Sequence, residues 1–159
     1  SARFRVGGTF YNDGANSNYT NCGGSSGDVF ADLSISGTTV GYVVGRRSQD
    51  DFNGISCTDS GDAITVNPDT GEPGRVTLTE LTAGQAAKLY VSFDGTVFTF
   101  QVEPEGGTAV AHQFNPADVG APPSSTDPIQ SFKGVGIHFN NVTTGEAFVL
   151  AAVDAVYAD

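Results

Sequence analysis

A histidine and an aspartate in the last third of the chain are the first residues with chemical potential. His138 stands in Ser131-Phe-Lys-Gly-Val-Gly-Ile-His-Phe139, a β-type run in which Phe132, Gly134, Gly136 and Asn140 would share its strand face. Two glycines on that face would leave room above the sheet. The imidazole could then act as a base or contact a ligand, although a structural or surface role is the default expectation. Asp154 stands in Glu146-Ala-Phe-Val-Leu-Ala-Ala-Val-Asp-Ala-Val-Tyr157, which is apolar on both faces. A lone carboxylate there needs a cation, a metal or several hydrogen bonds. A third group is Asn12-Asp13-Gly14-Ala15-Asn16-Ser17-Asn18, dense in the oxygen donors that Ca2+ takes. Asn12, Asp13, Asn16 and Asp154 are therefore the metal candidates, and calcium the candidate cofactor. Asp50-Asp51-Phe52-Asn53-Gly54 is a second such loop. The alternative for both loops is a set of Asx-turns with no metal.

Catalytic spacing is absent. The five glutamates, Glu72, Glu80, Glu103, Glu105 and Glu146, are scattered. Glu103 and Glu105 flank Pro104, with Gly106-Gly107 following, which reads as a turn. A retaining glycosidase needs two carboxylates about 5 Å apart on rigid strands. Arg46 and Arg47 are adjacent on a strand, so they point to opposite faces and cannot line one cleft. Gly23-Gly-Ser-Ser-Gly27 has the Gly-x-Ser-x-Gly spacing, but it lacks the following helix of a nucleophile elbow and the Lys of a phosphate loop, and no Cys/His nucleophile pair is suggested. No catalytic residue is assigned, and the chain is expected not to be an enzyme.

Binding residues are easier to find. The chain has no Trp and five Tyr. Tyr19 lies in a polar, Asn-rich loop, where burial is a poor explanation for it. Tyr90 alternates with Lys88 and Ser92 on a face that should be wet. Tyr19, Tyr90, His138 and Asn140 are the ligand-binding candidates. Ordinary packing with a solvated hydroxyl is the alternative for each tyrosine.

These residues must be positioned by strands. Val, Thr, Phe and Tyr dominate the periodic segments, and helical periodicity is nearly absent. The best helical stretch, Leu81 to Lys88, is short. Strands are expected at Arg3 to Tyr11, Asp28 to Ser36, Val40 to Arg47, near Ile55, and at Ala63 to Val66. Further strands are expected at Arg75 to Leu81, Ala87 to Phe93, Val97 to Glu103, Ala109 to Phe114, Ser131 to Phe139 and Glu146 to Tyr157. Asp28 to Ser36 alternates cleanly and reads as half-buried, with Val29, Ala31, Leu33 and Ile35 inward. Asp94-Gly95 is expected at the centre of a two-residue type I′ hairpin turn. Asn67 to Gly74 is a turn, and the Pro-rich segment Asn115 to Pro128 a meandering loop. Such spacing of short strands gives an all-β fold, an antiparallel two-sheet β-sandwich, in one domain over residues 1–159.

Composition narrows the partners. Eighteen acidic against seven basic residues give a net charge of -11. That argues against nucleic acid, which needs a basic footprint, and against an anionic membrane surface. No apolar run approaches the ~18 residues of a membrane span. The chain starts inside a strand-like pattern, as a mature or excised domain would. Cys22 and Cys57, the two cysteines, lie in Gly/Ser/Asp-rich loops without metal-ligand spacing. A disulfide between them would close a loop of about 35 residues, add ~3 kcal/mol and imply an oxidising, extracellular setting. The sequons at Asn18 and Asn141 would permit glycosylation in a eukaryotic secretory route.

Three segments carry a resemblance. Gln85-Ala-Ala-Lys-Leu-Tyr-Val-Ser-Phe-Asp-Gly-Thr-Val-Phe-Thr-Phe-Gln-Val102 looks like the back-sheet hairpin of the concanavalin A-like, laminin G-like jelly rolls. Phe132 to His138 and Ala152 to Tyr157 look like that superfamily's last two strands, and Gly41-Tyr-Val-Val-Gly-Arg-Arg47 fits a middle strand of secreted bacterial members. The resemblance implies a jelly roll. It also implies a structural calcium near the N-terminal strand, held in part by the last strand's aspartate, here Asp154. The superfamily's glycanases carry Glu-x-Asp-x-x-Glu, which this chain lacks. Its lyases carry an Arg-rich strand, Gln-x-His and a Tyr-rich last strand. Arg46-Arg47 and Ile137-His138-Phe139 echo these faintly, without the Gln. The expectation is a secreted recognition or adhesion module, glycan-binding and calcium-stabilised, with a glycan or cell-surface ligand. The alternatives are a subunit that assembles with copies of itself, suggested by the strand-like start Ser1-Ala-Arg-Phe-Arg5, and a polysaccharide lyase or glycoside hydrolase.

Overall fold

The computed structural model describes residues 2–13, 28–46, 62–123 and 133–139. They form nine strands: β1 (Ala2–Asn12), β2 (Asp28–Ser36), β3 (Thr39–Arg46), β4 (Asp62–Ala63), β5 (Val76–Glu80), β6 (Ala87–Phe93), β7 (Phe98–Pro104), β8 (Val110–Phe114) and β9 (Lys133–Phe139). All pairings are antiparallel. Among the described residues the larger sheet runs β4-β3-β2-β1-β9, with β5 also on β3, and the smaller runs β6-β7-β8.

The two sheets share one core. Tyr11, Val29, Ala31, Leu33, Val40, Tyr42 and Val44 enter it from the larger sheet, and Phe98, Phe100 and Val102 from the smaller. Their alternation along each strand puts every second side chain inward. The rings of Tyr42 and Phe100 stack with centroids 4.2 Å apart, joining β3 to β7. Burying each such side chain stabilises the fold by about 1.5–3 kcal/mol. In β1 the register passes from Thr9–Phe30 to Tyr11–Val29, leaving Phe10 as an extra residue. This bulge lets both Phe10 and Tyr11 meet Phe93 and Phe98.

Several expectations need correction. β2 is buried on both faces, not one. Asp28, Asp32 and Ser34 are buried, as Val29 and Leu33 are. Part of the cover is Arg75, whose guanidinium donates to Asp32 Oδ1 at 3.0 Å, to Ser34 Oγ and to the Gly41 carbonyl. Arg5 reaches the other carboxylate oxygen of Asp32 at 3.5 Å. A buried carboxylate requires such partners.

The β6–β7 turn is centred one residue later than expected. Asp94 N–H donates to Val97 O at 3.3 Å, so Gly95 and Thr96 are the central pair, with Gly95 at φ 95°. The Asp94 carboxylate accepts from the N–H groups of Thr96 and Val97, both at 2.8 Å, which fixes that choice. These bonds hold its pKa below the ordinary carboxylate value.

Ala63 to Val66 is not one strand. β4 stops at Ala63, and Val66 makes a single bridge to Pro73 across the expected Asn67–Gly74 turn. Leu81 to Lys88 is a loop, then a turn, then the start of β6. Within the Pro-rich loop lies a short 3-10 helix, Pro116–Val119. Asn115 caps it, its side chain accepting from Ala117 N at 3.0 Å, and Gly120 closes it at φ 74°. Finally, β1 is paired on both sides, with β2 and β9. The strand-like start is therefore not a free edge for a neighbouring copy. The strands expected near Ile55 and at Glu146 to Tyr157 lie outside the described residues.

Candidate functional site

The outward face of the smaller sheet is the best-defined candidate surface. The inward face of β6 and β7 takes Leu89, Val91, Phe93, Phe98, Phe100 and Val102. The opposite parity leaves Lys88, Tyr90 and Ser92 outward on β6, beside Thr99, Gln101 and Glu103 on β7. Register sets Lys88 opposite Glu103, and Tyr90 opposite Gln101, which faces Ala111 on β8. Tyr90 is 43% exposed, one of the exposed large hydrophobic side chains among the described residues. Its hydroxyl donates to Glu103 Oε2 at 3.0 Å, and Gln101 Nε2 donates to Glu103 Oε1 at 2.7 Å. One carboxylate thus fixes both neighbours. Beside it lies an open depression of about 310 Å³ lined by Ala86, Ala87, Lys88, Glu103, Pro104 and Glu105.

Tyr90 therefore lies on a wet face, as its alternation with Lys88 and Ser92 indicated. Its partners Gln101 and Glu103 were missed. The polar alternation Thr99, Gln101, Glu103 was a usable signal, but Glu103 was weighed only against Glu105, a pair that read as flanking a turn. It lies inside β7, one residue before the strand ends at Pro104, and the turn begins at Glu105.

The metal candidates within the described residues are engaged otherwise. Asn12 Nδ2 donates to Asp28 Oδ1 at 2.8 Å in a fully buried setting. Asp13, its side chain almost fully buried, forms an ion pair with Arg46 Nε. Arg46 also donates to the Gly120 carbonyl at 3.3 Å, and Tyr11 donates to the Ala121 carbonyl at 2.7 Å. Burial, with the Asp13 charge adding, pushes the Tyr11 hydroxyl far above its ordinary pKa. This network ties the ends of β1, β2 and β3 to the loop after the 3-10 helix. The Asp13 carboxylate thus has a guanidinium partner and the Asn12 amide a carboxylate one. Among the described residues no group of three His, Cys, Asp or Glu side chains could hold a metal ion. Asn16, Asp154, Tyr19, Asn140, Arg47, Cys22 and Cys57 lie outside the described residues.

The two histidines occupy different places. In β9, His138 pairs with Arg3, and Gly136 and Gly134 pair with Arg5 and Gly7. His112 lies on β8, where its Nδ1 shares a 2.7 Å hydrogen bond with the Tyr42 hydroxyl. The two rings stack at 5.4 Å, linking the sheets.

No helix among the described residues is long and apolar enough to cross a membrane. Neither a protein-family model, nor a curated protein, nor a solved structure matches the chain.

Proposed function

We propose that the chain is a secreted, non-catalytic recognition module of the concanavalin A-like jelly-roll type, binding glycan on the outward face of its smaller sheet. One observation carries this: Tyr90, an exposed ring on a rigid antiparallel sheet, tethered by Glu103 and surrounded by amide, hydroxyl, ammonium and carboxylate groups. An aromatic ring offers a sugar its apolar face, and the polar neighbours offer directional hydrogen bonds. A shared core between two antiparallel sheets supports the jelly-roll assignment. The proposal includes a Cys22–Cys57 disulfide, and export would suit both that bond and the strong negative charge. Calcium, on this proposal, is held at Asp154 and not by the paired Asp13.

The test is a glycan array with wild-type protein and Tyr90→Ala. Wild type should bind a subset of glycans, and the variant should lose about tenfold or more in affinity while keeping its melting temperature. Laminarin, alginate, xylan, cellulose and pectin should not be cleaved, with or without calcium. Cleavage of any of them that disappears in His138→Ala would replace the binding proposal with the lyase alternative.

A further inference from the structure

We infer that the outward face of the smaller sheet selects an uncharged glycan with vicinal hydroxyls, chelated by Glu103 while its ring rests on Tyr90. This rests on the glycan-binding proposal above and adds the class of ligand. An ionised carboxylate is acceptor-only, with about four lone-pair directions over two oxygens. On Glu103 the Tyr90 hydroxyl takes one direction at Oε2, and the Gln101 amide takes one at Oε1. One direction on each oxygen remains for donors from outside. Two adjacent sugar hydroxyls are a matched donor pair for that arrangement, and hydrogen bonds to an ionised acceptor are the strong kind.

The same tether orients the ring. Tyr90 stands opposite Gln101 in the ladder, yet its hydroxyl reaches Glu103, the partner of Lys88. The side chain therefore leans along the sheet diagonal toward the carboxylate. A sugar held on Glu103 would have the ring beside it and would adjoin the 310 Å³ depression that Glu103 lines together with Pro104 and Glu105. Because the site is already built by internal hydrogen bonds, little side-chain freedom is lost on binding.

Charge excludes the acidic sugars. Glu103 and Glu105 face a single cation, Lys88, in that depression, and the whole chain carries -11. A uronate or sulfated chain would meet like charge at the chelating group and over the surface around it.

The experiment is calorimetric titration with three soluble polysaccharides. Glucomannan is 1,4-linked and neutral, with vicinal hydroxyls along its backbone. Laminarin is neutral but 1,3-linked, so its internal residues lack a vicinal pair. Polygalacturonate has the vicinal pair and a charge on each residue. Glucomannan should bind best, and oxidation by periodate, which cleaves vicinal diols, followed by borohydride reduction should weaken it about tenfold or more. Glu103→Gln should weaken native glucomannan by a similar factor at unchanged melting temperature. Equal binding of polygalacturonate or laminarin, unchanged binding after periodate, or an unaffected folded Glu103→Gln protein would overturn this inference and leave glycan binding itself standing. No binding to any of the three by folded wild type would remove both. The periodate arm uses no variant, so a misfolded Glu103→Gln protein would not leave the question undecided.

Discussion

Tyr42 sets a pH limit on the fold. Burial pushes its hydroxyl up to about 12, where an unfolded tyrosine titrates near 10. A group whose folded pKa is raised contributes stability that is fully present below the unfolded value. That stability is lost between the unfolded and folded values, where the folded state holds a proton that the unfolded state has released. Denaturant stability should therefore fall from about pH 10 upward. Tyr42→Phe should make the fall shallower, leaving the part due to Tyr11. At neutral pH the variant should lose about 1 kcal/mol with the His112 hydrogen bond. An alkaline slope identical to wild type would refute this role. The hydroxyl's importance was not legible in Gly41-Tyr42-Val43, since its partner His112 is 70 residues away in the chain.

At the scale of strands, β1 can lie as close to β2 as it does because Gly7 has no side chain. A Cβ built there would meet the Ala31 carbonyl oxygen at 2.1 Å and the Asp32 Cα at 2.9 Å. Both contacts are backbone, which cannot rotate away. Gly7→Ala should push β1 off β2 and cost about 3 kcal/mol, read as a shift in the urea midpoint at unchanged m-value. A loss below ~0.5 kcal/mol would mean that the strands separate easily there. Most strands were legible from alternation: Asp28 to Ser36 and Ala87 to Phe93 have the expected boundaries. The short helix at Pro116 was missed although Asn-Pro-x-Asp-x-Gly carries its cap, its first-turn Pro and its closing Gly. Four prolines across the segment pointed to a loop instead.

For the whole molecule, the expected staples are a covalent bond and an ion. A Cys22–Cys57 disulfide and a calcium at Asp154 would each restrict or bind only the folded state. Reductant and chelator should each lower the melting temperature, and Asp154→Asn should abolish the chelator response. Equal melts in excess calcium and excess chelator would remove the calcium. Two thiols alkylated in the native, unreduced protein would remove the disulfide.

The sequence by itself determined the all-β class, because period-two alternation needs only local side-chain direction. It also determined that Tyr90 faces outward, since parity with Lys88 and Ser92 survives a shift of two residues in register. Tertiary structure decided what Tyr90 touches. A turn centred on Asp94 and Gly95 would have paired Phe93 with Thr96 and Tyr90 with Thr99. The Asp94 carboxylate instead caps Thr96 and Val97, so Phe93 meets Phe98 and Tyr90 meets Gln101 beside Glu103. Burial of Asp32 was likewise undecidable along the chain, because its cover, Arg75, arrives from a strand edge 43 residues later. Alternation tells which way a side chain points, but only the neighbouring strands tell what lies above it.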